Sequence, residues 1–262
     1  MFNSAYKRSL QLHEKFESQS KKKSIVFISF HKCATSFFSK NVLKDIRNYN
    51  HIDYLQEMYG KPDSFYPLIV DEGFIYGVIR LQDKEHPRYE FVRNLIKKTN
   101  EVKTIFWVRD PRDILVSMYY SFGFSHGISS EKGVAAYQEN RKADIQKVTI
   151  DEYVLREVMR IENKFNYMRS LMAINNEYIL LKYEDMIHNY DTFYNEFSGF
   201  IGGEINMYHD LYDNTRPRKS EDINSHKRSG MVGGYRDKLK PETIECLNNC
   251  LTDVLQNFGY VK

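Results

Sequence analysis

The apolar positions along the chain fall into two kinds of run. Ser24 to Phe30 carries Ile25, Val26, Phe27 and Ile28 without a polar break, the pattern of a strand buried on both faces and so of a parallel sheet. Phe74 to Arg80, Val102 to Arg109 and Glu177 to Lys182 repeat that pattern and predict three more strands. Between them the period changes: Phe37, Phe38, Val42, Leu43 and Ile46 recur at helical intervals over Thr35 to Asn48. Further helices are predicted over Pro111 to Phe122, Asp151 to Ala173, Tyr190 to Ile201 and Pro241 to Phe258. The alternation predicts an α/β fold, a central parallel β-sheet flanked by helices on both faces. Tyr208 to Gly234 is polar, rich in Arg, Lys, Asn, Asp and Gly, and predicts a long loop of the kind that covers a site.

Length changes this picture little: 262 residues with 42% hydrophobic content suit one domain, taken as 24–262 after a polar lead-in over 1–23. Charge matters more for what it excludes. Thirty-eight Lys and Arg stand against 35 Asp and Glu, a net of +3, which is not the basic excess of a nucleic-acid binder. An anion site must therefore be local. Cys33, Cys246 and Cys250 make an odd set without metal-ligand spacing, so a reducing, cytoplasmic setting is expected. No secretory leader and no membrane span are expected, because no apolar window reaches the needed length. The run Lys21, Lys22, Lys23 reads as a solvated approach to the first strand.

Two segments carry chemistry. His31-Lys32-Cys33-Ala34-Thr35-Ser36 lies between a buried strand and a helix, where backbone N–H groups can face an anion and Lys32 adds a point charge. It is not a Walker loop, since no Gly-Lys pair precedes a Ser or Thr. The second, Arg109-Asp110-Pro111-Arg112-Asp113-Ile114-Leu115-Val116-Ser117, also follows a buried strand. Asp110 is placed to cap the helix and Pro111 suits its first turn. Ser117, two turns along the same face, can join Arg109 in holding one phosphate. Arg80 and Arg109 both end predicted strands and would point into one crevice at the carboxyl edge of the sheet.

Together these segments resemble the sulfotransferases that use 3′-phosphoadenosine 5′-phosphosulfate (PAPS). The family's phosphosulfate loop reads like Pro-Lys-Ser-Gly-Thr-Thr and its 3′-phosphate motif like Arg-x-Pro-x-Asp-x-x-x-Ser. Two later segments are similar in the same order: Leu181-Lys182-Tyr183-Glu184-Asp185-Met186 and Arg228-Ser229-Gly230-Met231-Val232-Gly233. The resemblance implies a P-loop-like fold and PAPS as donor, with 3′,5′-adenosine bisphosphate (PAP) as product. It implies Lys32 as the group that stabilises the leaving phosphate, with Cys33, Ala34, Thr35 and Ser36 around it. It further implies Phe37 and Tyr183 against the adenine, and Arg109, Ser117, Arg228, Ser229 and Gly230 at the 3′-phosphate. The sequence departs from the pattern at Cys33-Ala34 for Ser-Gly, at Ser229 for Lys and at Gly234-Tyr235 for Asp-Trp.

Sulfuryl transfer needs in-line positioning and charge stabilisation, so no metal is expected; no Asp-rich or His-rich ligand cluster is present in the sequence. The acceptor is expected to be a hydroxyl or amine of a small molecule or glycan. Small-molecule relatives carry Lys-Thr-His after the second strand, where this chain has Arg80-Leu81-Gln82. The candidate general bases are His126, Glu72 and His86. A nucleotide kinase would show the Gly-Lys-Ser/Thr loop and a strand-end Asp for magnesium, and a non-catalytic nucleotide-binding protein would lack a base. Oligomeric state leaves no mark on the sequence.

Overall fold

The computed structural model of the chain describes residues 2–16, 20–57, 65–99, 102–125, 127–130, 132–202 and 230–260. Its centre is one sheet of β1 (Ile25–Ser29), β2 (Asn50–Ile52), β3 (Phe74–Arg80), β4 (Lys103–Val108) and β5 (Tyr178–Lys182). The strands lie in the order β2-β3-β1-β4-β5 with every neighbour parallel. Every residue of β1 is buried, as is all of β3 except Arg80 and all of β4 except Lys103. Those unbroken apolar runs exist because both sheet faces are covered. Gly77 sits at an irregularity in the β1–β3 pairing with φ 127, where a Cβ would meet the Phe27 carbonyl oxygen at 2.6 Å.

The helices are α1 (Phe2–Glu14), α2 (Thr35–Asn41), α3 (Tyr54–Glu57), α4 (Tyr89–Ile96), α5 (Pro111–Tyr120), α6 (Lys132–Ile145), α7 (Ile150–Ile174), α8 (Tyr183–His188), α9 (Tyr190–Ile201), α10 (Pro241–Cys250) and α11 (Thr252–Asn257). From β1 the chain moves one way along the sheet to β2, and from β4 the other way to β5; right-handed crossovers therefore set helices on both faces. The same reversal opens a crevice at the carboxyl ends of β1 and β4. Beneath it the indole of Trp107 packs on Phe38, 4.7 Å between ring centroids, and on Phe193 at 5.5 Å. On the other side Phe165 of α7 stacks on Phe30 at 4.4 Å.

Several elements depart from the sequence reading. The polar lead-in contains α1, whose Leu12, Ser9 and His13 are buried; His13 and the Tyr76 hydroxyl are hydrogen-bonded at 2.9 Å. The helix expected to run to Asn48 stops at Asn41, and a single 3-10 turn, Leu43–Asp45, leads into β2. The stretch Pro241 to Phe258 breaks at Leu251 into α10 and α11. α4 and α6 are additional; α6 buries only Val134 and Ile145, so it shows no apolar stripe to read. Among the described residues no helix is long and apolar enough to cross a membrane. The loop expected over Tyr208 to Gly234 lies outside the described residues except for its last five positions.

Candidate active site

The turn after β1 is built from unusual backbone. Lys32 and Ala34 both take the left-handed conformation, with φ 70 and 56. A side chain there costs roughly 1–2 kcal/mol per residue, which is why glycine is favoured at such positions. The turn is held from below, where the Trp107 indole N–H donates to the Cys33 carbonyl at 2.6 Å. The Cys33 thiol is buried, and loss of hydration pushes it up to about 12, so it stays protonated. Thr35 is buried at the start of α2, Ser36 is half-buried, and Phe37 packs partly against the core beside Phe38.

From this turn Lys32 Nζ donates to the Ser121 hydroxyl at 2.8 Å. Ser121 opens a π-helical turn, Ser121–Ser125, that ends α5. Such turns recur at functional sites because they re-aim side chains. Ser117 is buried one turn earlier on α5. At the other end of α5, Asp110 accepts from the Arg112 backbone N–H and Pro111 occupies the first turn, as the sequence predicts.

Arg109 ties three segments together. Its Nη1 donates to the Lys32 carbonyl at 3.1 Å and its Nη2 to the Met231 carbonyl at 2.9 Å. The guanidinium lies over the Tyr183 ring, 4.5 Å from its centroid, and pairs with Asp113 at 3.7 Å. The Arg109 Nε is buried with no hydrogen-bond partner. Tyr183, the first residue of α8, donates its hydroxyl to the Gly230 carbonyl at 2.6 Å. Asp113 accepts from the N–H groups of Gly233 and Tyr235 at 2.7 and 3.0 Å, which fastens this C-terminal segment over the crevice. Burial is the main influence on Asp113 and raises its pKa, opposed by Arg109 and the two backbone donors. Glu184 accepts from the Asp110 N–H at 2.9 Å and the Tyr260 hydroxyl at 3.2 Å, and burial lifts it to about 6.

Four of the motifs read from the sequence therefore meet: Lys32, Arg109, Tyr183 and Gly230 are linked by direct contacts. Arg228, Ser229 and His126 lie outside the described residues. Glu72 does not join them. It is exposed at the amino end of β3, bridged to Lys23, and the seven residues of β3 separate it from the carboxyl edge by roughly 20 Å. Its nearness to a strand in sequence concealed that it stands at the wrong end.

Beside the Lys32 turn lies a cavity lined by His31, Gln82, Asp83, His86, Phe122 and Arg141 among others. His86 is thus near the site, and burial, then Arg88, lowers its pKa to about 4. Its Nδ1 accepts from the Arg88 backbone N–H at 3.1 Å, so its basic nitrogen is already engaged. A further candidate base, not singled out by the sequence reading, is His31. Its Nε2 is 3.2 Å from the Gln82 side-chain oxygen; that acceptor places the ring proton on Nε2 and leaves Nδ1 basic. Burial, then Arg80 and Lys164, hold His31 well below the ordinary histidine range, so it is neutral at pH 7. Its signal in the sequence was position, directly before Lys32, with Gln82 standing where relatives place histidine.

A family model, Sulfotransferase domain, matches residues 20–259. The chain belongs to the sulfotransferase family. Its reaction is sulfuryl transfer from PAPS, and the expectations of fold and enzyme class stand. No curated protein matches the chain in sequence. Among solved structures, mouse sulfotransferase SULT7A1 complexed with PAP is 16% identical, with 97% of this chain and 91% of that one covered and a TM-score of 0.47. Retinol dehydratase in a complex with retinol and PAP is 15% identical, covering 88% and 81%, with a TM-score of 0.41. The same enzyme with androsterone and PAP gives 15%, 88%, 80% and 0.41. Among the described residues no group of three or more His, Cys, Asp or Glu could hold a metal ion.

Proposed function

We propose that the chain transfers the sulfuryl group of PAPS to the hydroxyl of a small-molecule acceptor without a metal, with Lys32 at the leaving phosphate and His31 as general base. The observation that carries this reading is the convergence of Lys32, Arg109 and the segment Gly230 to Tyr235 on one crevice, with the His31 cavity beside it. The site fits such a donor: the buried Arg109 Nε lacks an acceptor that a phosphate oxygen would supply, and the Lys32 turn offers a cation at the carboxyl end of β1.

PAPS supplies a sulfuryl group on a phosphosulfate anhydride. Arg109 and Ser117, with Arg228, Ser229 and Gly230, hold the 3′-phosphate; Cys33, Ala34, Thr35 and Ser36 surround the 5′-phosphate. Phe37 and Tyr183 flank the adenine. Lys32 Nζ, steadied by Ser121, neutralises the phosphate oxygen on which negative charge grows. The acceptor oxygen bonds to sulfur as the bond from sulfur to the phosphate oxygen breaks, and that oxygen keeps the electron pair. The hydroxyl proton passes to His31 Nδ1. His86 serves the wall of the cavity, and Glu72 takes no part.

Transfer of labelled sulfate from PAPS tests this directly. Lys32→Ala is expected to lower kcat roughly 100- to 1,000-fold, the usual loss when one preorganised stabiliser of transition-state charge is removed. Circular dichroism should show an unchanged fold. A variant as active as the parent would remove Lys32 from the mechanism.

A further inference from the structure

The cavity beside Lys32 has a volume of about 50 Å³ and a charge pattern that the transfer step alone does not explain. Arg141, from α6, lays its guanidinium over the Phe122 ring at 4.1 Å. Its Nη2 is buried without a hydrogen-bond partner, as is the Nε of Arg80 at the end of β3. A buried donor left unsatisfied costs roughly 1–3 kcal/mol, more when charged, and a bound anion is one way such a group is satisfied. Asp83 is the only carboxylate lining this cavity among the described residues, and it is already paired with Lys164 at 3.0 Å. Arg141 thus lines the cavity with Asp83 engaged elsewhere; Glu157 is its other carboxylate neighbour, while Arg80, beside Asp53, and Lys164 stand behind the wall and act on His31 through their charge.

We propose that this cavity receives the reacting end of a compact acceptor carrying a carboxylate as well as a hydroxyl, the carboxylate bound by Arg141 and the hydroxyl presented to His31. The inference rests on the sulfuryl-transfer reading above and adds the acceptor's charge and size to it. Phe122 fixes the spacing. The His31 ring lies 5.7 Å from its centroid and the Arg141 guanidinium 4.1 Å, so the two groups stand no farther apart than those distances together. That limit admits a hydroxy acid or hydroxybenzoate, with both functions on a short frame, and excludes a long one. A cavity of about 50 Å³ is also far below the several hundred that enclose a drug-sized ligand.

An acceptor carboxylate would also act on the base. Burial, Arg80, Lys164 and Arg141 all hold the His31 pKa down; Asp83, His86 and Tyr137 are the other titratable groups of the wall. An anion beside Arg141 offsets part of that field, and the ring binds a proton more readily when the acceptor is in place.

The protein, saturated with PAP, is titrated by calorimetry with 3- and 4-hydroxybenzoate and with the corresponding hydroxybenzyl alcohols. Wild type, Arg141→Gln and Arg141→Lys are compared, and each is titrated with PAP alone and melted thermally. Wild type should bind at least one carboxylate roughly 10-fold or more tightly than its alcohol, as charge-assisted pairing allows. Arg141→Gln should abolish that preference, Arg141→Lys should retain part of it, and PAP affinity should be the same in all three. Absence of carboxylate binding, no preference in wild type, or a preference that survives Arg141→Gln overturns the proposal. Failure of wild type to bind PAP would strike the donor reading, and this inference with it.

Discussion

The two halves of the crevice differ in how their polar groups are satisfied. On the donor side, at the ends of β1, β4 and β5, Arg109 donates to two backbone carbonyls, Asp113 accepts from two backbone N–H groups, and Tyr183 donates to a third carbonyl. On the acceptor side, at the end of β3 and against α6 and α7, side chains mostly meet side chains: His31 with Gln82, Asp83 with Lys164, Arg141 with the face of Phe122, although His86 accepts from a backbone N–H. On the donor side Lys32 is the counterpart exception, bonded to Ser121. Backbone partners are fixed by the fold, whereas side-chain partners can be exchanged one residue at a time. On the proposed assignment, the first half holds an invariant donor and the second leaves room for acceptor choice.

The sharpest way to separate the halves is to remove one group from each. His31→Gln is expected to lower kcat roughly 100-fold or more while leaving PAP affinity alone, the loss typical of a general base. Steady-state rates with calorimetry check this, and a fully active variant would move the base elsewhere. On the donor side Arg109→Gln should weaken PAP roughly 30- to 100-fold and AMP hardly at all, since a charge-assisted pair to the 3′-phosphate is worth about 2–3 kcal/mol. An equal loss for both nucleotides would mean that Arg109 does not read that phosphate.

A smaller effect concerns pH. Glu184 titrates near 6 in the fold because burial disfavours its charge, against an ordinary 4.5. The folded chain binds that proton more tightly than the unfolded chain. The stability this gives is present below pH 4.5 and is lost as pH rises through 6, by on the order of 1–2 kcal/mol. Thermal melts of wild type should therefore fall relative to Glu184→Gln between pH 4.5 and 7, and parallel curves would refute the assignment. Smallest of all, Ala34→Gly should stabilise by a few tenths to about 1 kcal/mol in denaturant titration, because it relieves a left-handed alanine at φ 56. A loss of stability there would show that the turn carries no strain.

The same contrast explains what the sequence disclosed. Runs such as Ile25 to Ile28 announce themselves because burial on both faces removes every polar residue, and Asp110-Pro111 marks a helix start through local capping. β2 has one buried residue in three, and α6 is polar nearly all round, so neither leaves a period to detect. The residues proposed for the donor sit in short contiguous segments, and the sequence groups them for that reason. His31, Gln82, Arg141 and Lys164 come from four separate segments that only the folded sheet and helices bring together. Glu72 misled because adjacency in sequence does not say which end of a strand is near.

Trp107 has a use beyond packing. It is the only tryptophan in the chain, it is fully buried, and its indole N–H is bonded to the Cys33 carbonyl at 2.6 Å. Indole emission responds to the hydrogen bond at that nitrogen and to charge nearby, so a shift in the backbone at Cys33 would be written into the light from one identified fluorophore. The enzyme thus carries its own optical reporter at the phosphate turn, and the arrival and departure of nucleotide can be timed by stopped-flow fluorescence with no label attached.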